Sequence, residues 1–387
     1  MVASSPRATD RLALKIAGSI ALVAASVALG EAALRVAVRI QPSLRSLFPD
    51  PLEVTVEPQG RFGFRPRPGS KHRYANGSVA TTNDLGYRGP TVTIPKPVGT
   101  VRILLLGGST THGWGVGDSE TIDAHMRELF LTMCPGGRFE VVNLAFDGYD
   151  SYQLFERLRS DGLRLEPDFV IVNAGINDVY NAKFPNLGDP DPRTLTWEPV
   201  LQRLREDQRR GRPGLWSLAK HYSYVARVPS MIRLVAARRA QAKATVTVTG
   251  YPDAADNFQR NLLRIAELLP PSVPVLFSTP PSALRDHFDP TRMQPRSYWL
   301  ADVSSTQAYR DTLAARAKAV AGALRSNGRQ AAYVAPQLDG HLFLDDAHLT
   351  GPGNRAVARV FVQHVMAWMS RDESKRGMCR YQDVLPP

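Results

Sequence analysis

The chain has 387 residues and a mass of 42.6 kDa, with 43% hydrophobic, 8% aromatic and 22% charged residues. That mixture excludes a wholly disordered chain, a collagen and a polytopic membrane protein, and the length fits one large domain with additions or two average ones. Lys and Arg number 48 against 36 Asp and Glu, and the net charge of +12 favours anionic partners: lipid headgroups, acidic polysaccharide or nucleic acid.

The N-terminus comes first. Residues 16–30 are uncharged and mostly Ala, Val, Leu and Ile, with Arg7, Arg11 and Lys15 before them and Glu31 and Arg35 after. The run approaches the about 20 residues of a bilayer span once its flanks are added and Lys15 and Arg35 snorkel outward. We read residues 1–40 as a transmembrane signal anchor. A cleaved signal peptide, with small residues at 24–28 as the cleavage site, and a soluble core helix are the alternatives. The positive flank precedes the apolar run, which predicts a cytoplasmic N-terminus and an extracytoplasmic body at a bacterial cell membrane. In that oxidising compartment Cys134 and Cys379, the two cysteines of the chain, are able to form one disulfide tying down the C-terminal tail.

Residues 41–100 are rich in Pro, Gly and Arg, with short β-prone runs at 54–56 and 91–94. They read as an extended or small β segment, with turns at Asn76-Gly77 and at 83–86. From residue 101 the texture changes to alternation. Strands are predicted at 101–106, 140–144, 169–173, 273–278 and 331–335. Helices are predicted at 121–133, 151–163, 255–269, 304–326 and 352–369. Strands alternating with helices specify right-handed βαβ units and a parallel sheet covered on both faces. The main domain is thus 101–370, followed by a tail, 371–387.

One stretch, 181–250, interrupts the alternation. It is crowded with arginines, from Arg203 to Arg239, and interleaves Trp216, Tyr222 and Tyr224. Two readings stand: a lid or binding insertion that attracts an anionic polymer or lipid surface, and a plain solvated helical insertion. Export of the chain argues against nucleic acid.

Ligands of open α/β sheets bind beyond the carboxyl ends of the strands. The segments there are Gly107-Gly108-Ser109-Thr110, residues 143–148 ending in Gly148, Gly175-Ile176-Asn177-Asp178, and residues 345–350. Together they supply the parts of a serine esterase. Ser109 follows two glycines on a turn that exposes its hydroxyl. A serine hydroxyl needs a base to take its proton, and His348 is the candidate, with Asp345 three residues earlier to orient it. Asp346 and His341 are the rivals of that pair. Ser109 N–H, Gly148 N–H and the Asn177 amide are candidate donors to an oxyanion, each such donor being worth about 3–4 kcal/mol in the transition state. His112 reads as a residue lining the pocket, or as a plain loop residue, and His125 as structural. No metal-ligand cluster, dinucleotide fingerprint, P-loop or Gly-x-Ser-x-Gly elbow is present, so neither a cofactor nor a metal is expected.

The ordered set Ser109, Gly148, Asn177, His348 resembles the SGNH hydrolases, also called GDSL-type esterases and lipases. Residues 83–90 (NDLGYRGP) and 101–116 (VRILLLGGSTTHGWGV) look like their membrane-anchored bacterial members. The resemblance implies a flavodoxin-like three-layer α/β/α sandwich, a Ser109-His348-Asp345 triad, and an oxyanion hole from Ser109, Gly148 and Asn177. Gly108 stands where the family motif has Asp, and Ala145 where members often have a glycine. The Gly108 departure is expected to affect loop support more than chemistry, and neither departure removes a catalytic group.

The function expected is hydrolysis of an O-acyl ester, such as an acetyl ester, on an extracytoplasmic glycan or lipid. O-acyl transfer to a cell-surface polysaccharide by the same residues is the nearest rival. A non-catalytic glycan-binding protein on a hydrolase fold is the third.

Overall fold

A computed structural model describes residues 8–41, 44, 47–48, 55–59, 63–74, 76–181, 198–243, 252–284 and 300–380. The β-prone residues 54 and 55 straddle the edge of that description, and residues 182–197 and 244–250 of the insertion lie outside it.

The chain opens with helix α1 (Ala8–Ile40). Within it, residues Leu14–Ile40 are long and apolar enough to cross a membrane, and none of that stretch is buried in the protein. Two antiparallel hairpins follow, β1 (Val56–Gln59) with β2 (Gly63–Pro66) and β3 (Lys71–Arg73) with β4 (Val79–Thr81). Residues 91–94 form no strand. Pro90 and Pro95 bracket the run, and proline gives a sheet no N–H donor.

The central sheet has five parallel strands: β5 (Thr100–Gly107), β6 (Arg138–Asn143), β7 (Phe169–Asn173), β8 (Val275–Ser278) and β9 (Ala331–Val334). Their spatial order is β6-β5-β7-β8-β9, the doubly wound order of a flavodoxin-like sheet. Every residue of β5 and β7 is buried, as expected of strands covered on both faces. Alternate side chains feed two cores. Leu104, Leu106, Val170 and Val172 pack under α4 (Ser151–Arg157), α9 (Pro252–Leu268) and α10 (Val303–Ser326). Ile103, Leu105 and Ile171 pack under α3 (Ile122–Met133) and α11 (Gly351–Met369). This is the expected three-layer α/β/α sandwich. The helix predicted over 151–163 ends its α-helical part at Arg157 and continues as a π-turn through Gly162.

The insertion folds into helices α6 (Glu198–Arg210), α7 (Leu215–Tyr222) and α8 (Tyr224–Lys243). Cys134, at the end of α3, is bonded to Cys379 across 245 residues of sequence.

Candidate active site

The order of the sheet reverses between β5 and β7, and the segments singled out in the sequence meet at the carboxyl ends of those strands. After β5 the chain makes a single helical turn, Ser109–His112, closed by the left-handed Gly113, whose N–H donates to Ser109 O. Two glycines permit this turn. A Cβ on Gly107 would lie 2.1 Å from Thr111 Oγ1, and one on Gly108 would lie 2.6 Å from Asn177 Nδ2. A side chain at 108 would therefore meet the Asn177 amide.

Ser109 Oγ lies 2.7 Å from His348 Nε2. On the far side of the imidazole, Nδ1 is 2.8 Å from Asp345 Oδ2 and 3.0 Å from Oδ1. Asp345 is buried and also accepts the backbone N–H groups of Ala347 and His348, which hold the carboxylate in line with the ring. His348 sits just before α11, whose first turn is capped by the Thr350 hydroxyl accepting from Gly353 N–H. Thr110 Oγ1 donates to Ala347 O, joining the Ser109 turn directly to the histidine segment. Of the two rivals, His341 is exposed on a separate turn. Asp346 is fully buried beside Asp345.

Gly148 has φ of 82°, a left-handed conformation that glycine adopts without strain. Among the described residues, nothing accepts a hydrogen bond from the N–H of Ser109 or of Gly148. The Asn177 amide donates to Tyr149 O at 2.8 Å and rests against Gly108. The arrangement can therefore pass a proton from a hydroxyl to an imidazole held by a carboxylate.

Four features escaped the sequence reading. First, His112 Nδ1 lies 3.0 Å from Asp147 Oδ1, in the residue before Gly148. His112, with further positive influence from His348 and His72, holds the Asp147 carboxyl below the usual range against the opposing effect of burial. Second, Trp114 lies 4.4 Å from the His348 ring, and Tyr74 meets Trp114 edge-on. Third, buried Arg88 donates to the carbonyls of His112, Gly113 and Val116 and pairs with Asp118. Through Arg88 the 83–90 motif straps the loop following Ser109. Fourth, Asp178 accepts from the N–H and Oγ of Ser151. Burial, then the neighbouring Asp150 charge, pushes the Asp178 carboxyl up to about 7. The Arg88 and Trp114 contacts are tertiary and left no local signature. The aspartate preceding Gly148 was the only visible hint of the His112 pair.

A family model described as GDSL-like Lipase/Acylhydrolase matches residues 105–356. Solved structures similar to the chain include an acetylxylan esterase from Geobacillus stearothermophilus, at 15% identity over 68% of this chain and 94% of that one, with a TM-score of 0.40. A GDSL-like lipase from Bacteroides thetaiotaomicron matches at 16% identity over 69% and 88%, with a TM-score of 0.36. A lipase/acylhydrolase from Enterococcus faecalis matches at 15% identity over 68% and 95%, with a TM-score of 0.38. No curated protein matches significantly.

Proposed function

The chain belongs to the GDSL-like lipase/acylhydrolase family and is an esterase, and from that premise we propose that Ser109 is its nucleophile, His348 its general base and Asp345 the orienting carboxylate. The observation that carries the reading is the unbroken line from Ser109 Oγ through His348 to Asp345, at 2.7 and 2.8 Å. His348 Nε2 takes the hydroxyl proton as Oγ attacks the ester carbonyl. The negative oxygen that develops is met by Ser109 N–H, Gly148 N–H and the Asn177 amide. His348 then gives its proton to the departing alcohol. Water, deprotonated by the same imidazole, releases the acid and restores Ser109.

The substrate we propose is an O-acyl ester, such as an acetyl ester, on an extracytoplasmic glycan or lipid. Two observations support the glycan and a third its extracytoplasmic setting. Half-buried Trp114 places its ring beside His348, where a sugar ring stacks. The Asp147 side chain keeps 26% of its surface exposed next to them, an acceptor for sugar hydroxyls. The Cys134–Cys379 bond suits an oxidising compartment, as does the anchor reading of α1. Acyl transfer to a second hydroxyl uses the same residues and is the rival reading.

The test is fluorophosphonate labelling of the full chain, with the modified residue located by mass spectrometry. Stoichiometric labelling at Ser109, lost in His348→Ala, is expected. An unlabelled but folded protein would remove the nucleophile assignment and favour a glycan-binding role. Product analysis with an acetylated sugar, with and without a second sugar acceptor, separates hydrolysis from transfer.

A further inference from the structure

We propose that α7 of the insertion is an interfacial helix, lying in the headgroup layer of an anionic phospholipid bilayer beside the end of α1. The proposal rests on the reading of α1 as a membrane span.

Helix α7 exposes an apolar face. Leu215, Trp216, Ala219 and Tyr222 recur at helical spacing and form one face. That face is turned to solvent, with Leu215 87%, Trp216 60% and Tyr222 71% exposed. Ser217 is buried, Leu218 and His221 are half-buried, and Lys220 borders the exposed face with its ammonium over the Trp216 ring. A helix that turns two aromatic rings and a leucine outward while burying a serine suits an apolar boundary better than bulk water. Trp and Tyr on that face are the residues that concentrate at membrane–water boundaries.

The position of α7 relative to α1 identifies that solvent. From Lys15 to Glu31, at about 1.5 Å per residue, the uncharged part of α1 runs about 24 Å, so a hydrocarbon core of about 30 Å ends near Glu31 and Arg35. Those two residues hold the insertion. Glu31 accepts the N–H groups of Tyr224 and Val225 and the Ser223 hydroxyl, so it caps the first turn of α8. Arg35 pairs with Glu31 and donates to Tyr222 O, the last carbonyl of α7. Arg227 donates to the carbonyls of Lys220 and His221 and to Phe48 O. The end of α7 is thus fixed at the level where α1 leaves the hydrocarbon. The chain entering α7 exposes Arg209, Arg210 and Arg212, and α8 exposes Arg233 next to Ile232. Cations bordering an apolar face complement anionic headgroups.

The experiment uses the full chain in vesicles of phosphatidylcholine and phosphatidylglycerol. No free cysteine competes among the described residues, so an environment-sensitive dye is attached through Ala219→Cys, through Val23→Cys in α1, or through Thr312→Cys on exposed α10. Nitroxide lipids then quench from known depths. Hydrolysis of a soluble ester reports that each variant is folded. We expect quenching at 219 by headgroup-proximal nitroxides, at 23 by deep nitroxides, and none at 312. Adding Leu215→Ser and Trp216→Ser to the 219 variant should relieve its quenching with soluble-ester hydrolysis unchanged. Quenching at 23 without quenching at 219 overturns the proposal and leaves the span. Loss of quenching at both overturns the span and the proposal with it. Concentration-dependent cross-linking of the unlabelled Ala219→Cys chain to a second copy, with no quenching in the labelled one, assigns the face to a second copy of the chain and also overturns it.

Discussion

At the scale of single residues, the candidate site turns on atoms that are committed twice. Asn177 holds the Tyr149 carbonyl and stands against Gly108, so its amide is a strut as well as the proposed oxyanion donor. Asn177→Ala is expected to lower kcat about 10²- to 10³-fold with little change in KM, read by steady-state kinetics on a soluble ester. Gly108→Ala should cost activity for a steric reason, because its Cβ would displace that amide. Asp178 lies one residue further on. Its carboxyl, raised in the fold from 3.8 to about 7, binds a proton more tightly folded than unfolded. The stability it contributes is therefore complete below about pH 4 and lost as pH rises through about 7. Asp178→Asn should flatten that slope in denaturant titrations across the window. The residues of the proposed triad and oxyanion hole were legible in the sequence because each follows a predicted strand in a recognisable order, and the carboxylate–imidazole pair also sits close in sequence. Asp345 and His348, three apart, are such a pair. The His112–Asp147 pair was illegible because its members follow different strands and meet only through the order of the sheet.

Among the elements, the segment before the sheet, read as an extended or small β segment, contributes two hairpins and the Arg88 strap to the margin of the site. Asn76 and Ser78 also donate to Gly115 O, and Thr81 donates to Asp118. Arg88→Met removes a buried guanidinium and leaves the carbonyls of His112 and Val116 without a donor. A loss of about 2–4 kcal/mol in unfolding free energy is expected, together with a fall in kcat, because those carbonyls belong to the loop that leaves Ser109. Differential scanning calorimetry and kinetics on the same preparation check both. The five strands and their covering helices were legible because buried parallel strands are short apolar runs bounded by glycine. The absence of a strand at 91–94 was legible in principle, since prolines stand on both sides.

For the molecule as a whole, the Cys134–Cys379 bond closes a loop that encloses most of the sheet. Backbone bonds run alongside it, from Arg380 N–H to Met133 O and from Gly136 N–H to Met378 O. Replacing both cysteines with serine should lower unfolding free energy by about 2–4 kcal/mol. Denaturant midpoints of the oxidised protein, compared with the double variant, measure it. The placement of the insertion was not legible. Its composition showed aromatic and basic residues, but the Glu31 and Arg35 contacts join positions nearly two hundred residues apart. Those same contacts leave α8 no slack relative to the end of α1. An enzyme on a loose tether sweeps a hemisphere around its anchor, and its effective substrate concentration falls as the tether lengthens. Under the proposed anchoring of α1, the insertion moves only as that helix drifts and spins. That predicts a working zone confined to a thin slab at one height, with acyl groups above or below it left unprocessed however abundant they are.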